Sequence, residues 1–327
     1  MRSVRRWVWS VLGLVLLAWA QQAPAQLRTP IYREVRLPSG VTLHLMEEGR
    51  GPTVIFVHGS TSDYTYWEQQ IGAFAQRYHV VAYSRRYNFP NDNPPVSGYS
   101  AVMDADDLAQ LIQSLGHAPV FVIGHSYGAL TALFLAARHP ELLRAAVLAE
   151  PPVISLLREL SGSNAARGKA IYADIQQRMV VPMNDAFTRG DEEGGLAAFM
   201  AYVLNDPNAW AKMSLRDKVE AIRDAREFEV IFPHGTLFPE LPVEALRRIQ
   251  VPMLLMSGAR SYPFLSVIDT ALVKLLPNSE HIIYPDVGHQ MWLLRPELCR
   301  RDAERFFQRH GGPAADGAGR HVEGSMN

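Results

Sequence analysis

Residues 124–128 read Gly-His-Ser-Tyr-Gly, between the apolar run Pro119-Val120-Phe121-Val122-Ile123 and a helical run over 129–138. A strand, a tight turn and a helix meet there. A G-x-S-x-G turn in this setting lifts its serine out of the chain on a sharp bend and exposes the hydroxyl at the carboxyl edge of a sheet. The flanking glycines let strand and helix approach closely, where a side chain would clash. The chain is thereby constrained to an α/β arrangement with residues 119–123 in a sheet.

Other segments supply the matching elements. Residues 31–37 and 41–46 flank Pro38-Ser39-Gly40 and predict an antiparallel pair. Apolar runs at 54–57, 79–83, 120–123, 145–149, 253–256 and 281–284 predict further strands, the more continuous of them buried on both faces. Helical patterns over 64–77, 101–115, 127–138, 265–276 and 296–310 separate or follow them. Such alternation implies a mostly parallel sheet covered on both faces. From about 153 to 248 it stops and helical patterns dominate. An insertion over the sheet's carboxyl edge is expected, with Phe199, Tyr202, Trp210, Phe228, Phe232 and Phe238 as candidates for the roof of a pocket or for the insertion's own core.

The ends read differently. Arg2, Arg5 and Arg6 precede an uncharged, mostly apolar stretch over 7–20, and Ala23-Pro24-Ala25 precedes Gln26. This is the layout of a secretory signal peptide; a retained anchor is the alternative, which the short apolar stretch disfavours. The expected organisation is a signal peptide over 1–25, an α/β core over 26–152 and 249–310, a helical cap over 153–248 and a disordered Gly/Ala-rich tail over 311–327. The expected destination is the periplasm or the medium, without membrane attachment once the signal is removed. The formal net charge of −1 becomes −4 when three arginines leave with the signal (−1 − 3). No basic run suits nucleic acid. Cys299 is the only cysteine, so no internal disulfide forms, and its helical setting predicts a packed thiol. No Cys/His cluster and no H-E-x-x-H suggest a metal.

Ser126 is the candidate nucleophile. A serine hydroxyl is weak at neutral pH and needs a base. His289 stands just after the last predicted strand, behind Gly288, which lets the loop turn back over the sheet. An ordinary loop histidine is the alternative. Charge developing on a carbonyl oxygen needs two backbone N–H donors. Tyr127, directly after the serine, offers one. The loop His58-Gly59-Ser60-Thr61 follows the strand over 54–57 and can present the Ser60 N–H; a plain strand-ending turn is the alternative.

On His58-Gly59, the turn at 124–128 and Gly288-His289, in that order and each behind a strand, the chain resembles the α/β-hydrolase fold superfamily from about residue 31 to 310. The resemblance implies an eight-stranded, mostly parallel sheet with helices on both faces and a helical cap. In most relatives the acid that orients the histidine follows the seventh strand. Here that strand ends at Ser257-Gly258, followed by Ala259-Arg260-Ser261-Tyr262, with no aspartate. Some branches, including many haloalkane dehalogenases and the zearalenone-type lactonases, place their acid after strand six. The run 145–149 ends at Glu150, which lies 150 − 126 = 24 residues past the serine, and Glu150 is the candidate acid. The alternatives are Asp286 as the acid, or Glu150 merely paired with an arginine. Dehalogenases and epoxide hydrolases of the superfamily attack with an aspartate at the turn, so Ser126 implies acyl transfer instead.

Relatives often carry Asp-x-Arg-Gly where this chain has Ser84-Arg85-Arg86-Tyr87. Arg85 or Arg86 could meet a substrate carboxylate, but pairing with Asp104, Asp106 or Asp107 is favoured. Trp67, beside Asp63 and Tyr66, is expected in helix packing, with the pocket wall as the alternative, and His125 is expected to pack beside the serine without acting as a base. The expected function is a serine hydrolase that cleaves an ester or lactone of a small to medium apolar substrate through an acyl-enzyme, with a Ser126-His289-Glu150 triad, the Ser60 and Tyr127 amides at the oxyanion, and no cofactor. The alternatives are C–C bond hydrolysis and a non-catalytic ligand-binding protein on the same fold.

Overall fold

In β3 (Thr53–Val57) and β5 (Val120–His125) every residue is buried, and successive side chains enter opposite cores. Ile55, Val57, Val120 and Val122 face one; Val54, Phe56, Phe121 and Ile123 face the other. That period-two partition is what a central strand covered on both sides requires. The computed structural model describes residues 29–313; the expected signal peptide and residues 314–327 of the tail lie outside the described residues.

Around these two strands lie β1 (Ile31–Arg36), β2 (Thr42–Gly49), β4 (His79–Tyr83), β6 (Leu143–Ala149), β7 (Met253–Gly258) and β8 (Ser279–Tyr284). Their order across the sheet is β1-β2-β4-β3-β5-β6-β7-β8. β2 runs antiparallel to both β1 and β4, and every other pair is parallel. The expected eight-stranded, mostly parallel sheet is therefore present. Its edges carry charge, with Arg33, Glu34 and Arg36 exposed or half-exposed on β1 and Glu280 on β8, which discourages pairing with another chain.

One face is covered by α1 (Glu68–Phe74) and the C-terminal helix α14 (Pro296–Arg309), through Ile71, Phe74, Phe306 and Phe307. The other is covered by α2 (Ala101–Leu115), α3 (Tyr127–Arg138) and α12 (Pro263–Leu275). The helix expected over 64–77 is instead a 3-10 turn, Tyr64–Trp67, followed by α1. Asp63 accepts the Thr65 N–H at 2.7 Å and caps the turn, and Trp67 is buried against Phe56 of β3 and Trp292, outside its own helix.

Between β6 and β7 the chain is helical: α4 (Leu156–Glu159), α5 (Ala165–Ile175), α6 (Val181–Thr188), α7 (Glu192–Val203), α8 (Ala209–Lys212), α9 (Leu215–Arg223), α10 (Arg226–His234) and α11 (Val243–Arg248). Trp210, Phe228 and Phe232 are buried within the insertion, and Tyr202 is buried against Tyr262 and Phe264. A short segment, α13 (Met291–Leu294), precedes α14. Among the described residues no helix is long and apolar enough to cross a membrane.

Candidate active site

Ser126 stands at the junction of β5 and α3 with φ 53° and ψ −122°. A non-glycine residue in this region is strained by roughly 1–3 kcal/mol and persists only where its surroundings impose it. The surroundings are the two glycines. A methyl group on Gly128 would lie 2.2 Å from the Val57 carbonyl oxygen, and one on Gly124 2.5 Å from the Gly128 carbonyl oxygen. Only glycine lets α3 sit against β3 and β5 closely enough to force the bend. The Ser126 N–H donates to the Ala149 carbonyl at 2.8 Å, tying the turn to the end of β6.

Glu150 follows the last residue of β6. It is fully buried, with φ 50°. Its two oxygens are both used. Oε1 accepts the Gly258 N–H at 2.8 Å, and Oε2 lies 2.5 Å from His289 Nδ1. A carboxylate accepts, so Nδ1 carries the proton and Nε2 is left as the basic nitrogen. His289 lies in the loop after β8, held by a second contact. His125 Nε2 lies 2.9 Å from the His289 carbonyl oxygen, which fixes the proton on that ring nitrogen. Burial pushes the His125 imidazole well below its ordinary range, with His289 adding to the effect, so the ring is a neutral donor. It stacks on Tyr66 with centroids 5.1 Å apart.

Ser126, His289 and Ser60 open onto one cavity of about 400 Å³. Ser126 Oγ makes no direct hydrogen bond to the imidazole among the described residues, a looseness common before substrate binds. The Tyr127 N–H is in the first turn of α3, where amides have no partner within the helix. The loop after β3 comes as near: a methyl group on Gly59 would lie 3.1 Å from Ser126 Cβ. Ser60, Ser126 and Tyr127 border one narrow recess beside this cavity. The profile of the Alpha/beta hydrolase family matches residues 54–302, which hold every one of these groups. The chain belongs to that family.

Within the family, mouse (Mus musculus) epoxide hydrolase 3 is 32% identical over 295 residues, covering 80% of this chain and 75% of the relative. The 2-(acetamidomethylene)succinate hydrolase of Mesorhizobium japonicum is 30% identical over 138 residues, 42% of this chain, and the match spans about half (49%) of that relative. The enol-lactonase from Burkholderia xenovorans LB400 has the same fold, with TM-score 0.65 at 18% identity over 84% of this chain and 100% of the neighbour. Membership of the Alpha/beta hydrolase family supports a hydrolase.

Where the inserted helices meet the cavity of this hydrolase its walls are largely apolar, with the carboxylates of Asp217 and Glu220 from α9 beside them. Phe199 and Val203 from α7 and Met213 line its outer part. A narrow recess continues past Ser126 to Pro152, Met179, Phe238 and Phe264. Of the aromatic candidates for the roof, Phe199 and Phe238 face this space, Trp210, Phe228 and Phe232 pack in the inserted helices, and Tyr202 packs on Tyr262 and Phe264 beyond β7.

Arg85 and Arg86 do not line it. Arg86 makes two bonds to Asp107, at 2.6 and 2.7 Å. Arg85 is fully buried, bonded to Asp104 at 2.8 Å and to Glu227 of α10. Asp286, the alternative acid, pairs with Arg295 on the surface, where the guanidinium holds its carboxyl below the ordinary value. Cys299 is buried, and burial pushes its thiol up to about 12. Among the described residues no His, Cys, Asp and Glu side chains group to hold a metal. Glu227 was not among the residues singled out in the sequence, since a single glutamate in a helical stretch carries no local signal of its partner in the core.

Proposed function

We propose that the chain is an exported serine hydrolase that cleaves an ester or lactone of a small to medium apolar substrate through an acyl-enzyme. The observation that carries this reading is the buried Glu150 carboxylate 2.5 Å from His289 Nδ1, with His289 and the strained Ser126 bordering one cavity. Ser126 Oγ attacks the carbonyl carbon as its proton passes to His289 Nε2. Glu150 keeps the proton on Nδ1 and offsets the positive charge of the imidazolium. The Ser60 and Tyr127 amides take the oxyanion. Collapse breaks the C–O bond, and the leaving alkoxide receives the proton from Nε2. Water, deprotonated by His289, then releases the acid and restores Ser126.

Relatives in this family include an epoxide hydrolase, an enol-lactonase and an acetamidomethylene succinate hydrolase. A serine at the turn favours attack at an acyl carbon over opening of an epoxide. A cavity of about 400 Å³ suits a compact ester or lactone. The test is a panel of graded p-nitrophenyl esters, lactones of several ring sizes, epoxides and ring-cleavage diketones, with fluorophosphonate labelling in parallel. Turnover of esters or lactones with label on Ser126 is expected, and Ser126→Ala loses both. Ester turnover unchanged in Ser126→Ala, or turnover confined to epoxides or diketones, rejects this reading. Export is tested by the N-terminus of protein recovered outside the cytoplasm, expected to begin at Gln26.

A further inference from the structure

Ser60, the donor assigned above to the oxyanion, sits between two residues that are both held from elsewhere. On one side is Gly59, whose carbonyl accepts from Arg85 Nη2 at 3.1 Å and from His58 Nδ1 at 2.8 Å. On the other is Thr61, at φ 53°, whose N–H donates to Glu227 Oε1 at 2.6 Å. Glu227 comes from α10, 166 residues further along the chain, and is fully buried. Its second oxygen bonds Arg85 Nη2, the same nitrogen that holds the Gly59 carbonyl. Arg85 is anchored in turn by Asp104 at 2.8 Å, and its guanidinium lies 4.7 Å from the centre of the Tyr127 ring. Its own N–H donates to His58 Nε2 at 3.0 Å, closing the circuit on the residue before Gly59.

We infer that Glu227 and Arg85 are positioning residues that fix the oxyanion loop from the inserted helices, so that the Ser60 amide points at the reacting carbonyl only while α10 is docked. This rests on the reading of Ser60 as an oxyanion donor. The physical grounds are threefold. Thr61 occupies a backbone region unfavourable for a branched residue, and an unrestrained loop would leave it. The Thr61 bond is made to a charged acceptor, which is stronger than a bond to a carbonyl. Finally, the pair is dry, and a Glu227 carboxylate drawn away from Arg85 would be buried without a counter-charge, which keeps the two engaged together. An oxyanion donor acts through direction as much as presence, and a loop free to turn loses stabilisation of the transition state while still admitting substrate.

The test compares Glu227→Leu and Glu227→Gln with Asp107→Asn, which strips the neighbouring buried arginine of its partner without touching the loop. For the best ester of the panel, Glu227→Leu is expected to lower kcat by about 10–100-fold, part of the effect of deleting a donor outright. KM should stay within about threefold. Glu227→Gln, whose amide oxygen can still accept from Thr61, should recover part of the loss. Hydrogen exchange of the backbone over residues 59–62 should quicken in Glu227→Leu and be unchanged in Asp107→Asn. Wild-type kcat in Glu227→Leu overturns the inference, and so does a fall in kcat matched by Asp107→Asn. If the wild-type protein turns over no ester or lactone, exchange alone decides. Quickening confined to 59–62 upholds the anchoring and rejects only the proposed reaction; unchanged exchange rejects the anchoring itself.

Discussion

Glu150 divides its oxygens between two tasks: one holds the Gly258 amide and the other the imidazole of His289. An amide at this position would present an NH₂ to one of those partners, and His289 would lose both its tautomer and its counter-charge. Glu150→Gln is therefore expected to lower kcat by about 10³–10⁴-fold with the fold intact, as measured by ester turnover beside circular dichroism. Asp286→Asn should stay within about twofold, since its pair with Arg295 is exposed and worth little. Part of this was legible in the sequence. Residues 259–262 lack an acid, and that absence pointed one strand back to Glu150. The supporting role of His125 was not. Its bond goes to a main-chain carbonyl 164 residues away, and carbonyls have no residue type to read.

At the scale of the elements, the turn between β5 and α3 is set by close contacts that leave no space for a methyl group. Gly128→Ala should destabilise the protein by about 3 kcal/mol or more, because the clash is with the Val57 backbone and no side chain can move aside. Gly72→Ala, in α1 with open space around it, should instead stabilise by about 0.5–1 kcal/mol. Urea titration of both variants checks the contrast. The eight strands were readable because the central ones are continuously apolar and the first two are set apart by the turn Pro38-Ser39-Gly40. The helix over 64–77 was read as one piece because its apolar spacing runs on, whereas Asp63 caps a tighter first turn that this spacing does not reveal.

Across the whole molecule, the inserted helices are latched to the core by a short charged strip as well as by apolar contact. Arg223 bonds Asp63, Asp224 accepts the Phe89 N–H at 2.8 Å, Arg226 bonds Asp92, and Glu227 reaches Arg85 and Thr61. Sequence patterns gave a helical insertion over the sheet's carboxyl edge but not the side chains that fasten it, since each of these partners lies far off along the chain. Burial pushes the Asp224 carboxyl up to about 7, with Asp63 adding, while the Phe89 N–H and Arg223 oppose it. An unfolded aspartate titrates near ~3.9. Between these values the folded protein holds a proton that the unfolded chain has lost. This contribution to stability is complete below about pH 4 and fades as the pH rises toward 7. Asp224→Asn should thus gain on the wild type by on the order of 2 kcal/mol between pH 5 and pH 8 in denaturant titrations. A different consequence follows from the 2.8 Å bond between the Ser126 amide and the Ala149 carbonyl. Hydroxyl and carboxylate stand one residue past the ends of two paired strands, and the bend beyond Gly258 carries no reacting group. Mutational drift there can remodel the wall around Phe264 and Leu265, and with it the choice of substrate, while the chemistry stays where it is.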